Sequence, residues 1–174
     1  MDFFSIARQG NIGILTMNRP PMNNFNLQMY RELQESIAAI NADDDIWAAI
    51  FRAEGKNFCT GNDVKEFINL TDQKSAAAYA DKVSIAVGSV GACRVPLVGA
   101  INGMALGTGL GLASLCDVLV ADDKAKFGIP EARVGSPPRP PARPAGASRR
   151  EGGHGLRTRP RGTPRRAPRG RSGV

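Results

Sequence analysis

Three short strand-like runs, Ile46–Phe51, Pro96–Ile101 and Asp117–Ala121, are separated by longer stretches whose apolar residues return every three or four positions. The first two runs are too short and too continuously apolar for surface helices, which predicts strands buried on both faces. The stretches flanking them keep the rhythm of about 3.6 residues that marks an amphipathic helix. Leu27, Tyr30, Leu33, Ile37 and Ile40 carry it in one, with Asn26 placed as N-cap and an end near Ala42, before the Asp43–Asp45 cluster. Tyr79, Val83, Ala86, Val90 and Cys93 carry it in another, over Ser75–Cys93. Strands alternating with helices predict a layered α/β fold with crossover connections.

The beginning of the chain follows a different period. Phe3–Arg8 and Ile12–Met17 flank Gln9-Gly10-Asn11, where Gly and Asn tolerate the positive φ of a tight turn, so a hairpin is expected. Asn18-Arg19-Pro20-Pro21 stops its second strand, because proline lacks an N–H and restricts the residue before it. A short helical piece is expected to end at Phe67, and another to run from Gly107 through Leu115.

Charge divides the chain in two. Of the formal net charge of +7, Met1–Gly135 contributes 12 basic against 15 acidic residues, or −3, and Ser136–Val174 contributes 11 arginines against one acidic residue, or +10. The second segment has 8 prolines, 7 glycines and no aromatic residue. It has too little apolar surface to offset the entropy of ordering, so residues 136–174 are expected to be a disordered tail behind a folded core of residues 1–135. Pro, Arg, Gly and Ala dominate it, residues whose codons can consist wholly of G and C, which points to a frameshift or truncation after Gly135. The rival reading is a functional tail: its arginines would attract phosphates and bind nucleic acid without sequence preference, lacking aromatics to stack on bases.

Cys59, Cys93 and Cys116 are odd in number, widely spaced and set in apolar sequence, which suggests reduced thiols rather than disulfides or a metal site. No basic leader precedes a long apolar run, and no stretch reaches the roughly 18 apolar residues of a membrane span. A cytoplasmic setting is expected. His154, the single histidine, falls in the tail, which argues against a histidine base or serine triad.

Two glycine turns carry the chemistry. Asn57-Phe58-Cys59-Thr60-Gly61-Asn62-Asp63 and Asn102-Gly103-Met104-Ala105-Leu106-Gly107-Thr108-Gly109 each lie between a strand and a helix. Glycine permits the sharp bend, leaving N–H groups unpaired at the helix start. If the two turns converge they can aim two N–H groups at one oxygen, the geometry that stabilises an oxyanion. Either turn alone reads equally as a tight connection. Asp63, Lys65, Glu66 and Asp43–Asp45 read as solvated charges.

These turns, FCTGNDVKEF and VPLVGAINGMALGTGLGLASLCDVLVADDKAKFGIPEARVG, together with the earlier NRPPMNNFN, resemble the crotonase superfamily of enoyl-CoA hydratases and isomerases over Met1–Gly135. The resemblance implies a ββα spiral that binds acyl-CoA thioesters and holds the thioester carbonyl between two backbone N–H groups, here those of Asn62 and Thr108. Both are expected near helix N-termini, where partial positive charge helps. It implies substrate contacts from Met22 and Asn23 in the Pro20–Asn24 loop, and from Asn62, Asp63, Val64 and Lys65. No cofactor is implied, coenzyme A being part of the substrate.

Hydratases of this kind use two glutamates. At the first position this chain has Gly111, which cannot transfer a proton, and at the second Glu131. One carboxylate can shuttle a proton between carbons, whereas hydration needs two, so the resemblance leans to double-bond isomerisation; hydration and non-catalytic CoA-thioester binding are the alternatives. Gly61-Asn62-Asp63 points the same way, resembling peroxisomal-type Δ3,Δ2-enoyl-CoA isomerases. Thr108 departs from the glycine common there and narrows the slot. Family members assemble as homotrimers or hexamers through C-terminal helices that the text after Gly135 does not spell. The spiral is therefore expected to be incomplete, to expose apolar surface and to be weak or inactive as an enzyme.

Overall fold

The structure, a computed structural model, describes residues 1–68 and 70–130. Glu131 and the whole tail segment 136–174 lie outside the described residues. The chain opens with an antiparallel hairpin, β1 (Phe4–Gln9) and β2 (Ile12–Met17), paired from Gln9↔Ile12 to Phe4↔Met17 around Gly10 at φ +57°. Helix α1 (Leu27–Ala42) crosses to β3 (Ala48–Ala53), which lies parallel to β2. Two helices, α2 (Lys65–Ile68) and α3 (Gln73–Gly91), lead to β4 (Leu97–Ile101), parallel to β3. The strand β5 (Met104–Leu106) and helix α4 (Thr108–Ser114) lead to β6 (Val118–Ala121), parallel to β4, and to β7 (Lys126–Gly128), parallel to β5. The result is a five-stranded sheet in the order β1-β2-β3-β4-β6 and a two-stranded sheet β5-β7.

Helix α1 begins where its sequence says it should. The Asn26 side chain accepts from the Met29 N–H at 2.9 Å, satisfying one of the unpaired donors of the first turn. Its stripe of Met29, Tyr30, Leu33, Ile37 and Ile40 is buried against the sheet residues Leu15, Met17, Phe51 and Leu97 and against Ala86, Val87 and Val90 of α3. Glu32 points inward beside this stripe and accepts from the Phe3 N–H at 2.8 Å, tying the chain's start to α1. Helix α3 starts two residues before the expected Ser75, because Asp72 and Ser75 form a reciprocal capping box.

Two expectations need correction. β3 begins at Ala48, two residues later than Ile46, since Trp47 is 68% exposed and faces solvent. Neither β3 nor β4 is buried on both faces: Ala49, Phe51, Leu97 and Ile101 are enclosed, while Ile50, Val98 and Ala100 are half-buried. Among the described residues the packed helices cover one side of the sheet. Apolar side chains on β6 and β7 are open, with Val118, Leu119, Val120 and Phe127 each more than two-fifths exposed. No helix among the described residues is long and apolar enough to cross a membrane.

Candidate active site

The two glycine turns lie against one another. Downstream of β3, Phe58 N–H donates to Asn102 O at 2.7 Å, Cys59 N–H to Met104 O at 3.0 Å, and Leu106 N–H to Cys59 O at 2.9 Å. This short parallel pairing draws the first turn alongside β5. Glycine is required at two of the contact points. A Cβ at Gly103, whose φ is +56°, would overlap the Lys56 carbonyl oxygen, and one at Gly109 would overlap that of Cys59.

Asn62 and Thr108, the expected donors, are thereby brought together. Thr108 Oγ1 donates to Asn62 Oδ1 at 3.1 Å, the Tyr30 hydroxyl donates to the same oxygen at 2.5 Å, and the two hydroxyls are 3.3 Å apart. Asn62 also forms a parallel bridge with Phe25, in which Phe25 N–H donates to Gly61 O at 2.9 Å and Asp63 N–H to Phe25 O at 2.8 Å. Successive peptide groups in such a ladder alternate sides, so the Asn62 N–H faces away from Phe25. Thr108 is the first residue of α4, where the N–H has no partner within the helix. Among the described residues neither N–H donates to a protein acceptor. Thr108 opens α4 and Asn62 lies three residues ahead of α2, so both lie near helix N-termini, though of short helices of 7 and 4 residues.

The Pro20–Asn24 loop closes one side. Its Pro20–Pro21 peptide is cis, and Asn23 has a φ of +53°. Asn23 Oδ1 accepts from Arg19 N–H at 2.7 Å and its Nδ2 donates to Glu54 O and Asn57 O, both at 2.9 Å, so this buried side chain shapes the loop. Met22 O accepts from the Thr60 N–H at 3.2 Å. Asn24 reaches Thr60 Oγ1 at 3.1 Å.

Met22, Asn23, Asn62 and Asp63 are thus gathered, whereas Val64 and Lys65 project into solvent, Val64 being 72% exposed. The expectation that Asp63 and Glu66 are plain solvated charges is corrected by their partners. Asp63 is paired to Arg19 at 2.8 Å, and Glu66 accepts from the Leu27 N–H at 3.2 Å. The hydrogen bond from Arg19 holds the Asp63 carboxyl below the ordinary carboxylate range.

Three residues here were not singled out from the sequence. Tyr30 is read there as one more member of an apolar stripe, although a hydroxyl amid aliphatic positions signals a buried partner. Burial raises its phenol well above the ordinary range, keeping it a neutral donor. Arg19 sits in the strand-stopping sequence, and Tyr79 presents a buried hydroxyl without a partner among the described residues. Cys59, buried beside Gly61, has its thiol pushed up to about 12 by burial and is unreactive as a nucleophile. Gly111, where the resemblance implies a glutamate, has open space where a Cβ would stand. Among the described residues no cluster of His, Cys, Asp and Glu is arranged to hold a metal.

Known proteins share the sequence and fold that carry these turns. Residues 7–145 match the family described as Enoyl-CoA hydratase/isomerase. A probable enoyl-CoA hydratase, echA8, of Mycobacterium tuberculosis is 39% identical over 131 residues, 75% of this chain and 50% of that protein. The same-named protein of Mycobacterium leprae is 41% identical over 125 residues, 71% of this chain and 48% of that protein. The crystal structure of an enoyl-CoA hydratase/carnithine racemase from Magnetospirillum magneticum superposes with a TM-score of 0.75 at 37% identity, covering 79% of this chain and 52% of that one. The ββα spiral is the architecture these share, present here in part. The chain spans about half the length of the curated relatives it matches.

Proposed function

This chain belongs to the enoyl-CoA hydratase/isomerase family, and on that premise we propose that it binds acyl-CoA thioesters with the carbonyl oxygen between the N–H groups of Asn62 and Thr108, and isomerises a double bond with Glu131 as proton carrier. The Glu131 carboxylate takes a proton from the carbon beside the thioester of a 3-enoyl-CoA. The electron pair passes into the carbonyl, whose oxygen becomes negative, and the same proton is returned to the fourth carbon, leaving the double bond conjugated. Each well-placed amide donor lowers the barrier to that charged intermediate by about 3 to 4 kcal/mol. What supports the reading is the convergence of two turns whose donors are unoccupied, with Asn62 and Thr108 side chains 3.1 Å apart.

Hydration is the second reading, favoured by the names of the relatives and opposed by Gly111, which supplies no second carboxylate to hold water. Turnover is expected to be slow, because the apolar side chains of β6 and β7 stand open to solvent. The test is incubation of the full chain with 3-enoyl-CoA and, separately, 2-enoyl-CoA, following absorbance of the conjugated thioester. The expected result is slow conjugation of the first substrate, lost in Glu131→Gln, and no loss of the second. Hydration of 2-enoyl-CoA without isomerisation would overturn the assignment.

A further inference from the structure

Asn62 Oδ1 is held by two hydroxyls that come from opposite directions in the chain. Tyr30 reaches it from the inner stripe of α1, and Thr108 from the start of α4. The Tyr30 ring is 1% exposed and packs at a tilt of 49° against Phe25 with centroids 4.8 Å apart, so its hydroxyl is a fixed anchor. Phe25 is itself bridged to Asn62 through the backbone. The Tyr30 hydroxyl therefore holds the first donor turn by its side chain while Phe25 holds it by main chain, and the Thr108 hydroxyl ties the second turn to the same Asn62 oxygen. Both lone-pair positions on Asn62 Oδ1 are occupied, while the Asn62 N–H donates to no protein acceptor among the described residues.

We infer that Tyr30 is a positioning residue: its hydroxyl, acting with that of Thr108 on Asn62 Oδ1, locks the two amide-bearing turns into one unit and sets the distance between the Asn62 and Thr108 N–H groups. The inference rests on the proposed reading of that amide pair as a thioester site. Electrostatic stabilisation depends on donors that do not reorganise as charge develops, so loosening one turn against the other weakens polarisation of the carbonyl more than binding of the thioester. Tyr30 touches neither the substrate nor the reacting atoms in this account.

The test uses the full chain and a cinnamoyl-CoA thioester bearing a para electron donor, whose absorption moves to longer wavelength as its carbonyl oxygen accepts hydrogen bonds. Tyr30→Phe removes one oxygen and keeps the ring. The expected result is a band shift cut to roughly half or less, with probe affinity within about twofold and, where turnover is measurable, kcat down about tenfold at little-changed KM. Thr108→Val deletes the other hydroxyl and is expected to act in the same sense, with Thr108→Ser retaining more of the shift than Thr108→Val. A wild-type shift that survives intact in a folded Tyr30→Phe overturns the positioning role while leaving the site reading in place. Failure of the wild-type chain to bind or shift the probe overturns the site reading, and the inference with it.

Discussion

The two faces of the five-stranded sheet are made of the same strands and much the same residue types, yet they meet different surroundings. On one face Leu15, Phe51 and Gly99 stand in register, and Leu15 and Phe51 are completely enclosed beneath α1. On the other, Ile14, Ile50 and Val98 are half-buried and Val118, next in the row, is 54% exposed. The difference lies in what covers the side chain, since apolarity is equal. The enclosed face is also the one that anchors the site: Tyr30 belongs to the same buried stripe as Leu33 and Ile37, so packing of α1 is transmitted to Asn62 by one hydroxyl.

Substitution can break this contrast. Phe51→Ala is expected to cost about 3 to 5 kcal/mol through the cavity it leaves, whereas Val118→Ala should cost less than about 1 kcal/mol. Chemical denaturation of both variants checks this, and equal losses would mean that the second face is covered as fully as the first. A smaller effect, about 1 kcal/mol, is expected for Asp63→Asn, which uncouples the site loop from Arg19. Because Arg19 depresses the Asp63 pKa in the folded chain, its stabilisation is present above the unfolded carboxylate range, near pH 4, and is lost as pH falls through the folded value. Thermal unfolding of the two proteins should therefore differ at pH 7, begin to converge as pH falls below about 4 and coincide below the folded pKa; a gap that persists at the lowest pH would remove Arg19 as the cause. The smallest change is expected from Tyr79→Phe, which deletes a buried hydroxyl that has no partner among the described residues. Stability should hold or rise by up to about 1 kcal/mol, and a loss in thermal unfolding would reveal a partner for that hydroxyl.

Much of this architecture is legible along the chain because it depends on near neighbours. The hairpin around Gly10, the Asn26 cap, the end of α1 at Ala42 and the order of strands and helices all follow from turn chemistry and periodicity. β5 and β7 are not legible: at 3 residues each they are too short to show a period, and they exist because Met104–Leu106 meets Lys126–Gly128. The glycines of the two turns mark bends in the sequence. That Gly103 and Gly109 are needed where backbone passes against Lys56 and Cys59 is a fact about segments some fifty residues apart.

By itself the sequence determined the family, the α/β alternation and the two glycine turns, since propensities, caps and motifs act over a few positions or survive as recognisable text. Tertiary structure alone decided which face of each strand is enclosed, that Asp63 is paired with Arg19, and that Tyr30 and Thr108 meet on the Asn62 side-chain oxygen. Burial, ion pairing and hydrogen bonding between distant residues depend on where the chain returns in space, and no local pattern encodes that distance.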